Sequence, residues 1–338
     1  MNMKLLKPLV LLLVLVMGWS ACSTEVNLEA EWKDIPIVYG FLNVQDTAHY
    51  VRVQKAFLEP GGDAIQIAQN SDSIYYDDIA VSLENRTKGT SFPLERVNGE
   101  NEGYFKEEGL FANSPNILYK IDAVLADLEG GDEVVLRIDR GDELPPAMAE
   151  TIVLSEIDSV GSSPSNNINR WRYDQLLPVV WRPGPEAQIF DVRFIIHYRE
   201  VTPGQMVEPV AKTVEWVVSR SVLRDDPDSA REKVDVSGEA FYAFLGSAIP
   251  PSEGEVRLFD YINIVITGAG AEFRDFILVE QANTGITSAQ NIPIFTNVEE
   301  GLGVFTSRYQ LVRRGIRLGD EARDSLSNGI YTRDINFN

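Results

Sequence analysis

The chain has a single cysteine, Cys22, among 338 residues, and only two histidines, His49 and His197. One thiol excludes a disulfide within one copy, so stability in an oxidising compartment must come from burial, which a chain of this length can supply in two domains of ordinary size. Two histidines far apart in sequence make poor material for a zinc site or a hydrolytic triad, and each sits inside a strand pattern that a hydrogen-bonded residue explains. Positive charge is also scarce: 30 Lys and Arg stand against 51 Asp and Glu, a formal net charge of −21. No run of Lys and Arg offers a surface to a phosphate backbone, so nucleic acid is excluded as a partner. Long apolar runs are missing from the body of the chain. Its 24% charged and 9% aromatic content describe a folded globular protein.

One apolar run stands near the start, from Leu9 to Trp19, after the basic Lys4 and Lys7 and before the small Ser20-Ala21. It is about half the ~20 residues of a membrane span, and it reads as the apolar region of an export signal. Small residues directly before the only cysteine resemble the bacterial lipoprotein signal, although Trp19 departs from the aliphatic residue usual at its position. The resemblance implies a signal over 1–21, with Cys22 lipidated as the new N-terminus. Two or more acyl chains would hold such a protein stably on its membrane. Residues 22–34, polar and acidic, then read as a tether.

From Ile35 the dominant period is two. Ile79, Val81 and Leu83 alternate with Ala80, Ser82 and Glu84, and Val134, Leu136 and Ile138 alternate with Val135, Arg137 and Asp139. Similar runs over Pro36 to Asn43, His49 to Phe57, Phe92 to Val97 and Ile117 to Val124 are punctuated by Gly61-Gly62, Asn98-Gly99 and Gly130-Gly131. Short strands with frequent turns predict an immunoglobulin-like β-sandwich over 35–147. A second β-rich domain with one or two short helices is expected over 148–338. Its strands carry Phe190, Val192, Phe194, Ile196 and Tyr198 on one face, Val214, Trp216 and Val218 on another, and Leu258, Ile262, Ile264 and Ile266 on a third. A helix is predicted where Phe241, Phe244, Leu245 and Ala248 recur at helical spacing, with Ser237 as its cap and Gly246 near its end.

Three segments carry a family resemblance: Ile37-Val38-Tyr39-Gly40-Phe41-Leu42-Asn43, Ala48 to Phe57, and Thr296 to Phe305 with its Gly301-Leu302-Gly303 core. They resemble the opening and closing segments of an uncharacterised family of Bacteroidota envelope lipoproteins, often encoded beside TonB-dependent outer-membrane transporters. The resemblance implies an outer-membrane location, on the periplasmic or the outer face, and an accessory role in uptake or surface assembly. It brings no catalytic residues with it.

The remaining candidates have competing readings. Trp171, Tyr173 and Trp181, flanked by Arg170, Arg172 and Arg182, form either an aromatic platform for a sugar or peptide or part of a buried core. Asp72, Asp77 and Asp78 offer oxygen ligands, but their spacing matches no calcium loop, so neither metal nor cofactor is expected. Gly301-Leu302-Gly303 lacks the third glycine of a dinucleotide loop. Its glycines either bring Phe305 and Arg308 to a docking surface or mark a bulge that aims Phe305 inward. The functional expectation is a lipid-anchored, non-catalytic binding or accessory subunit. The alternative is an envelope hydrolase acting on glycan or peptide, which would need a pocket bringing two carboxylates, or a carboxylate and His197, within reach of one another.

Overall fold

Period-two alternation is realised as strands, most of them paired antiparallel, and many of them bury alternate residues. The computed structural model describes residues 34–56, 64–141, 144–161, 163–204, 208–224, 226–284 and 293–338; the expected signal, Cys22 and the Gly61-Gly62 turn lie outside them. In the first half, β1 (Pro36–Leu42), β2 (Ala48–Lys55), β3 (Ala80–Asn85), β4 (Thr90–Pro93), β5 (Glu95–Asn98), β6 (Ile117–Asp122), β7 (Glu133–Asp139) and β8 (Ala147–Ile152) are joined by loops that hold three short helices. These are α1 (Ala64–Ala68), α2 (Ser71–Ile74) and α3 (Ala123–Ala126). The orders β1-β2-β6-β5 and β8-β7-β3-β4 are those of an immunoglobulin-like sandwich with one added edge strand. Val38, Val51, Val53 and Ile121 of one sheet meet Val81, Leu83, Leu136 and Ile138 of the other.

Two expected strands end differently. The run Phe92 to Val97 breaks at Leu94, whose buried side chain and N–H to Val81 O (2.8 Å) mark the crossing from one sheet to the other. The run Ile117 to Val124 stops at Asp122, where the chain turns into α3 and leaves Val124 exposed.

The second half contributes β9 (Asp158–Ser159), β10 (Asn167–Ile168), β11 (Leu176–Arg182), β12 (Ile189–Val201), β13 (Val210–Leu223), β14 (Glu232–Ser237), β15 (Val256–Ala269), β16 (Val298–Glu299) and β17 (Leu302–Leu318). Its helices are α4 (Gly238–Ala248), α5 (Ala271–Thr284) and α6 (Asp320–Asn328). The long sheet β13-β12-β15-β17 and the small sheet β14-β11-β9 enclose a second core, in which the predicted β12 stripe from Phe190 to Tyr198 is buried. On β15 the expected stripe shifts phase. A bulge between Phe259 and Tyr261, opposite His197 and Tyr198, turns Arg257 and Phe259 inward and leaves Leu258 only half-buried.

Ser237 caps α4 as expected, accepting the Ala240 N–H at 3.3 Å. Phe241 and Leu245 are buried, whereas Ala248 faces solvent and Tyr242 takes an inward place. Gly246 lies in the last turn of the helix, near its end as expected, and Tyr331 packs against it: a Cβ there would meet the Tyr331 carbonyl at 2.0 Å.

The 17-residue β17 joins the halves. Its first part, Leu302–Ser307, runs parallel to β1, and from Arg308 onward it pairs antiparallel with β15. Together with β16, which adds to β8, it places Val298 and Phe305 in the first core. The sandwich read over 35–147 is thus completed by residues from the far end of the chain, and its core extends through β8 to Val153.

Candidate functional site

The residues of β1 and β2 that point away from the core build one wall of a cavity. Cross-strand register sets Ile37 opposite Gln54 and Tyr39 opposite Arg52. Over this face the chain lays α2 and the loop preceding β6, held by a small cluster of Ile74, Tyr75 and Ile117 with Ala112 against it, and by the Ala112 N–H donated to Ala68 O at 2.8 Å. Lys106 and Phe111 of that loop complete the lining with Lys55 and Ile74, around a space of about 290 Å³.

Its charges have one sign. Arg52, Lys55 and Lys106 line it, and among the described residues no carboxylate does. None of the three is ion-paired among the described residues. Lys106 donates to the Ala112 carbonyl and, at 3.4 Å, to the Tyr75 hydroxyl, with its Nζ 5.6 Å from the centre of the Tyr75 ring. Lys55 sits 5.3 Å above the Tyr76 ring. Arg52 makes one long hydrogen bond, Nη2 to Asn116 Oδ1 at 3.3 Å, while its buried Nε–H has no acceptor. A buried donor left in that state costs about 1–3 kcal/mol. On an acidic chain, unpaired cations gathered at one cavity are ready to receive an anion. Asp34, which accepts the Tyr76 hydroxyl at 2.6 Å, lies 3.6 Å from Arg140, and Glu102 accepts from Lys120 Nζ and Tyr50 OH, both at 2.9 Å. The bonds from Lys120 and Tyr50 hold Glu102 below the usual carboxylate range. Tyr39 and Phe111 of the lining are 44% and 46% exposed, and Phe105 and Leu110 of the same loop more so, which gives the cavity an apolar, aromatic surround.

Two other cavities differ in chemistry. One of about 320 Å³ brings Glu133, Glu150 and Glu272 to one lining with Arg86 and Thr151. There Glu150 is held by Arg86 at 2.6 Å, and Glu272 accepts from Thr151 Oγ1 (3.1 Å) and Thr306 Oγ1 (2.9 Å). The other, a broad cleft of about 560 Å³, is lined by Ser163, Asn167, Pro164 and Pro178, with Arg170 its one charge.

The residues singled out in the sequence fall mostly elsewhere. Trp171 and Trp181 are fully buried, Trp171 stacking on Phe241 at 4.3 Å, and Tyr173 donates its hydroxyl to Ser325 O at 2.8 Å. These three are core, and the surface platform is corrected accordingly: a sandwich interior is the natural place for rings this large. Phe305 is likewise fully buried, which corrects its place on a docking surface. Gly303 has φ +113°, and a Cβ there would lie 1.9 Å from the Val38 carbonyl; at Gly301 it would lie 2.9 Å from Pro36 O. The two glycines let β17 close against β1. Arg308 alone remains at the surface, 3.7 Å from Asp46.

His49 is buried in the first half and His197 lies on the outer face of β12, stacked on Tyr261 at 4.4 Å and bonded to Asn263 at 3.0 Å. Asp72 lies in the first turn of α2 and Asp77 and Asp78 are exposed. Among the described residues no group of three or more metal-ligating side chains is placed to hold an ion, and no helix is long and apolar enough to cross a membrane. The cavity cations escaped the sequence reading. Arg52 and Lys55 belong to a strand whose neighbours looked ordinary, and Lys106 comes from a loop about fifty positions on, which no local spacing connects to them.

No family model and no curated protein matches the chain. Among solved structures, it is similar to the FN1-FN3 domains of chicken CNTN1, at 10% identity and a TM-score of 0.17, covering 82% of this chain. It spans less than two thirds of that structure, 65%. A second likeness is to CBD12 from CALX1.2, at 9% identity and a TM-score of 0.19, covering 80% of this chain and 98% of that one. The immunoglobulin-like description rests on the strand order given above.

Proposed function

We propose that this chain is a lipid-anchored envelope protein acting as a non-catalytic binding or accessory subunit, with an outer-membrane TonB-dependent transporter or a surface assembly as its partner. The observation that carries the binding role is the cavity on β1 and β2, where three cations without carboxylate partners among the described residues stand among apolar and aromatic side chains: a site equipped to hold an anion. The anchor draws its support from the signal-like residues before Cys22, and the partner from the resemblance of the opening and closing segments. Affinity purification of a tagged chain from detergent-solubilised native envelope should recover a barrel-forming transporter in comparable amount. Cys22→Ser should move the chain into the soluble fraction. Recovery of the chain alone overturns the accessory role, and unchanged membrane retention of Cys22→Ser overturns the anchor.

The second reading, a hydrolase, has one observation in its favour, the gathering of Glu133, Glu150 and Glu272. With Glu150 paired to Arg86 and Glu272 occupied by two hydroxyls, the geometry favours binding over acid–base chemistry.

A further inference from the structure

We infer that the cavity on β1 and β2 is a carboxylate site, selective for an anion carried on an apolar or aromatic body. The inference rests on the binding role proposed above and names the ligand's chemistry. Three observations lead to it independently of one another.

The first is the use made of arginine donors elsewhere in the chain. Arg224 spreads its guanidinium over the carbonyls of Gly184, Pro185, Ala187, Asp226, Pro227 and Ser229. Arg313 donates to the Gly161, Ser163 and Pro164 carbonyls and to Asn166 Oδ1. Arg52 is half-buried, yet it makes a single 3.3 Å bond. A guanidinium has five donors in a planar fork that matches a carboxylate's two oxygens, and here most of that fork is unspent.

The second is the sign of the surroundings. The chain carries a net charge of −21, so exposed cations normally find an acid nearby, as Lys88 does with Asp127 and Lys120 with Glu102. Lys55 and Lys106 instead lean on the rings of Tyr76 and Tyr75. Among the described residues these like charges converge without a counter-ion, and a bound carboxylate would relieve their repulsion.

The third is shape. About 290 Å³ holds a group of side-chain size, not a folded partner. Ile37, Ile74, Tyr39 and Phe111 supply an apolar wall that a bare inorganic anion would leave unfilled. A benzyl-sized body with one carboxylate uses both kinds of wall together.

Calorimetric titration of the purified chain tests this with three probes: N-acetyl-phenylalanine, its neutral C-terminal amide, and inorganic phosphate. The carboxylate should bind, while the amide and phosphate should each bind at least about tenfold more weakly, the usual worth of one hydrogen bond to a charged group. Arg52→Gln and, separately, Lys55→Gln should each weaken the carboxylate about tenfold while leaving the melting temperature of the chain in place. A hexapeptide ending in Phe separates the sources: tighter binding than the amino acid derivative assigns the site to a chain terminus, equal binding to a free small acid. Equal affinity for carboxylate and amide, phosphate binding as tightly as the carboxylate, or no binding at millimolar concentrations would each overturn the inference. Those failures leave transporter recovery from native envelope untouched. Recovery of the chain alone, with the carboxylate still binding, would remove the accessory role and keep the site.

Discussion

Two arginines, one in each half, show how differently this chain treats a charge taken from water. Arg257, turned inward by the β15 bulge, is 1% exposed and bonded through all three of its nitrogens. Its Nε donates to Glu200 at 3.0 Å, Nη2 to Glu255 at 2.7 Å, and Nη1 to the carbonyls of Pro250 and Ile335 at 3.0 and 2.8 Å. Its backbone also receives the C-terminal segment, through Asn336 O and Asn338 N–H. Arg52 is less buried and nearly idle. A guanidinium whose three nitrogens are all answered inside the fold is structural. An unsaturated one beside a cavity keeps its donors for something that arrives.

The largest expected effect breaks the saturated member of this pair. Arg257→Ala would leave Glu200 and Glu255 facing each other across the lost cation and two carbonyls without their donor. Removing one partner of a buried ion pair costs about 3–5 kcal/mol. Chemical denaturation should show a loss near the lower bound, because both carboxylates keep some contact with solvent, their side chains being 23% exposed. A loss below about 1 kcal/mol would remove the distinction between the two arginines.

A second effect concerns another idle cation-former in the first half. His49 is 2% exposed and its Nδ1 has no partner; burial holds its pKa below the ordinary value, against the opposing pull of Asp46. The unfolded chain therefore binds a proton at a pH where the folded chain still refuses it. Stability from this group is complete above the ordinary imidazole pKa of about 6.5 and is lost as pH falls from there toward the folded value. One group contributes a slope of at most about 1.4 kcal/mol per pH unit. Melting curves between neutral and mildly acidic pH should decline more gently for His49→Gln than for the native chain. Parallel declines would show that His49 takes up its proton in the fold.

Arg52→Gln is the counterpart to Arg257→Ala and should be mild, within about 1 kcal/mol, because a residue with one weak bond has little to lose. A destabilisation as large as that of Arg257→Ala would make Arg52 structural and empty the cavity of its purpose.

How much of this was legible beforehand follows from the range over which each signal acts. Alternation along one strand is local, so the sandwich, the β12 stripe and the Ser237-capped α4 could be read from neighbouring residues. What depended on pairing between distant segments could not. The phase change that buries Arg257 comes from a bulge set by register against β12. The burial of Phe305 comes from β17 running beside β1, some 265 positions earlier. The cavity joins Arg52 to Lys106 through packing of a loop on a sheet face. Trp171 and Trp181 illustrate the same limit, since their sequence neighbourhood left a surface platform and a buried core both open, and the packing puts their rings into the second core.

The smallest expected effect falls at the point where β17 passes from one half to the other. Arg308 is the first residue of that strand to pair with β15, facing Ala269, directly after Ser307 has paired with Leu42 of β1. Its side chain is 48% exposed and 3.7 Å from Asp46, itself 35% exposed, a surface pair of the kind worth about 0–1 kcal/mol. Arg308→Ala should therefore change stability by less than about 0.5 kcal/mol. A docking role for the segment would have relied on Phe305 and Arg308 acting together, an aromatic and a guanidinium at one exposed place. With Phe305 sealed in the first core, Arg308 has lost its apolar companion, and an isolated rim charge contributes more to association rate than to affinity. Pull-down from native envelope with Arg308→Ala should then recover the same partner in the same amount as the native chain. If the variant stays folded and loses the partner, the crossing point of β17 is the docking surface after all, and it is served by a charge that the fold itself leaves nearly unused.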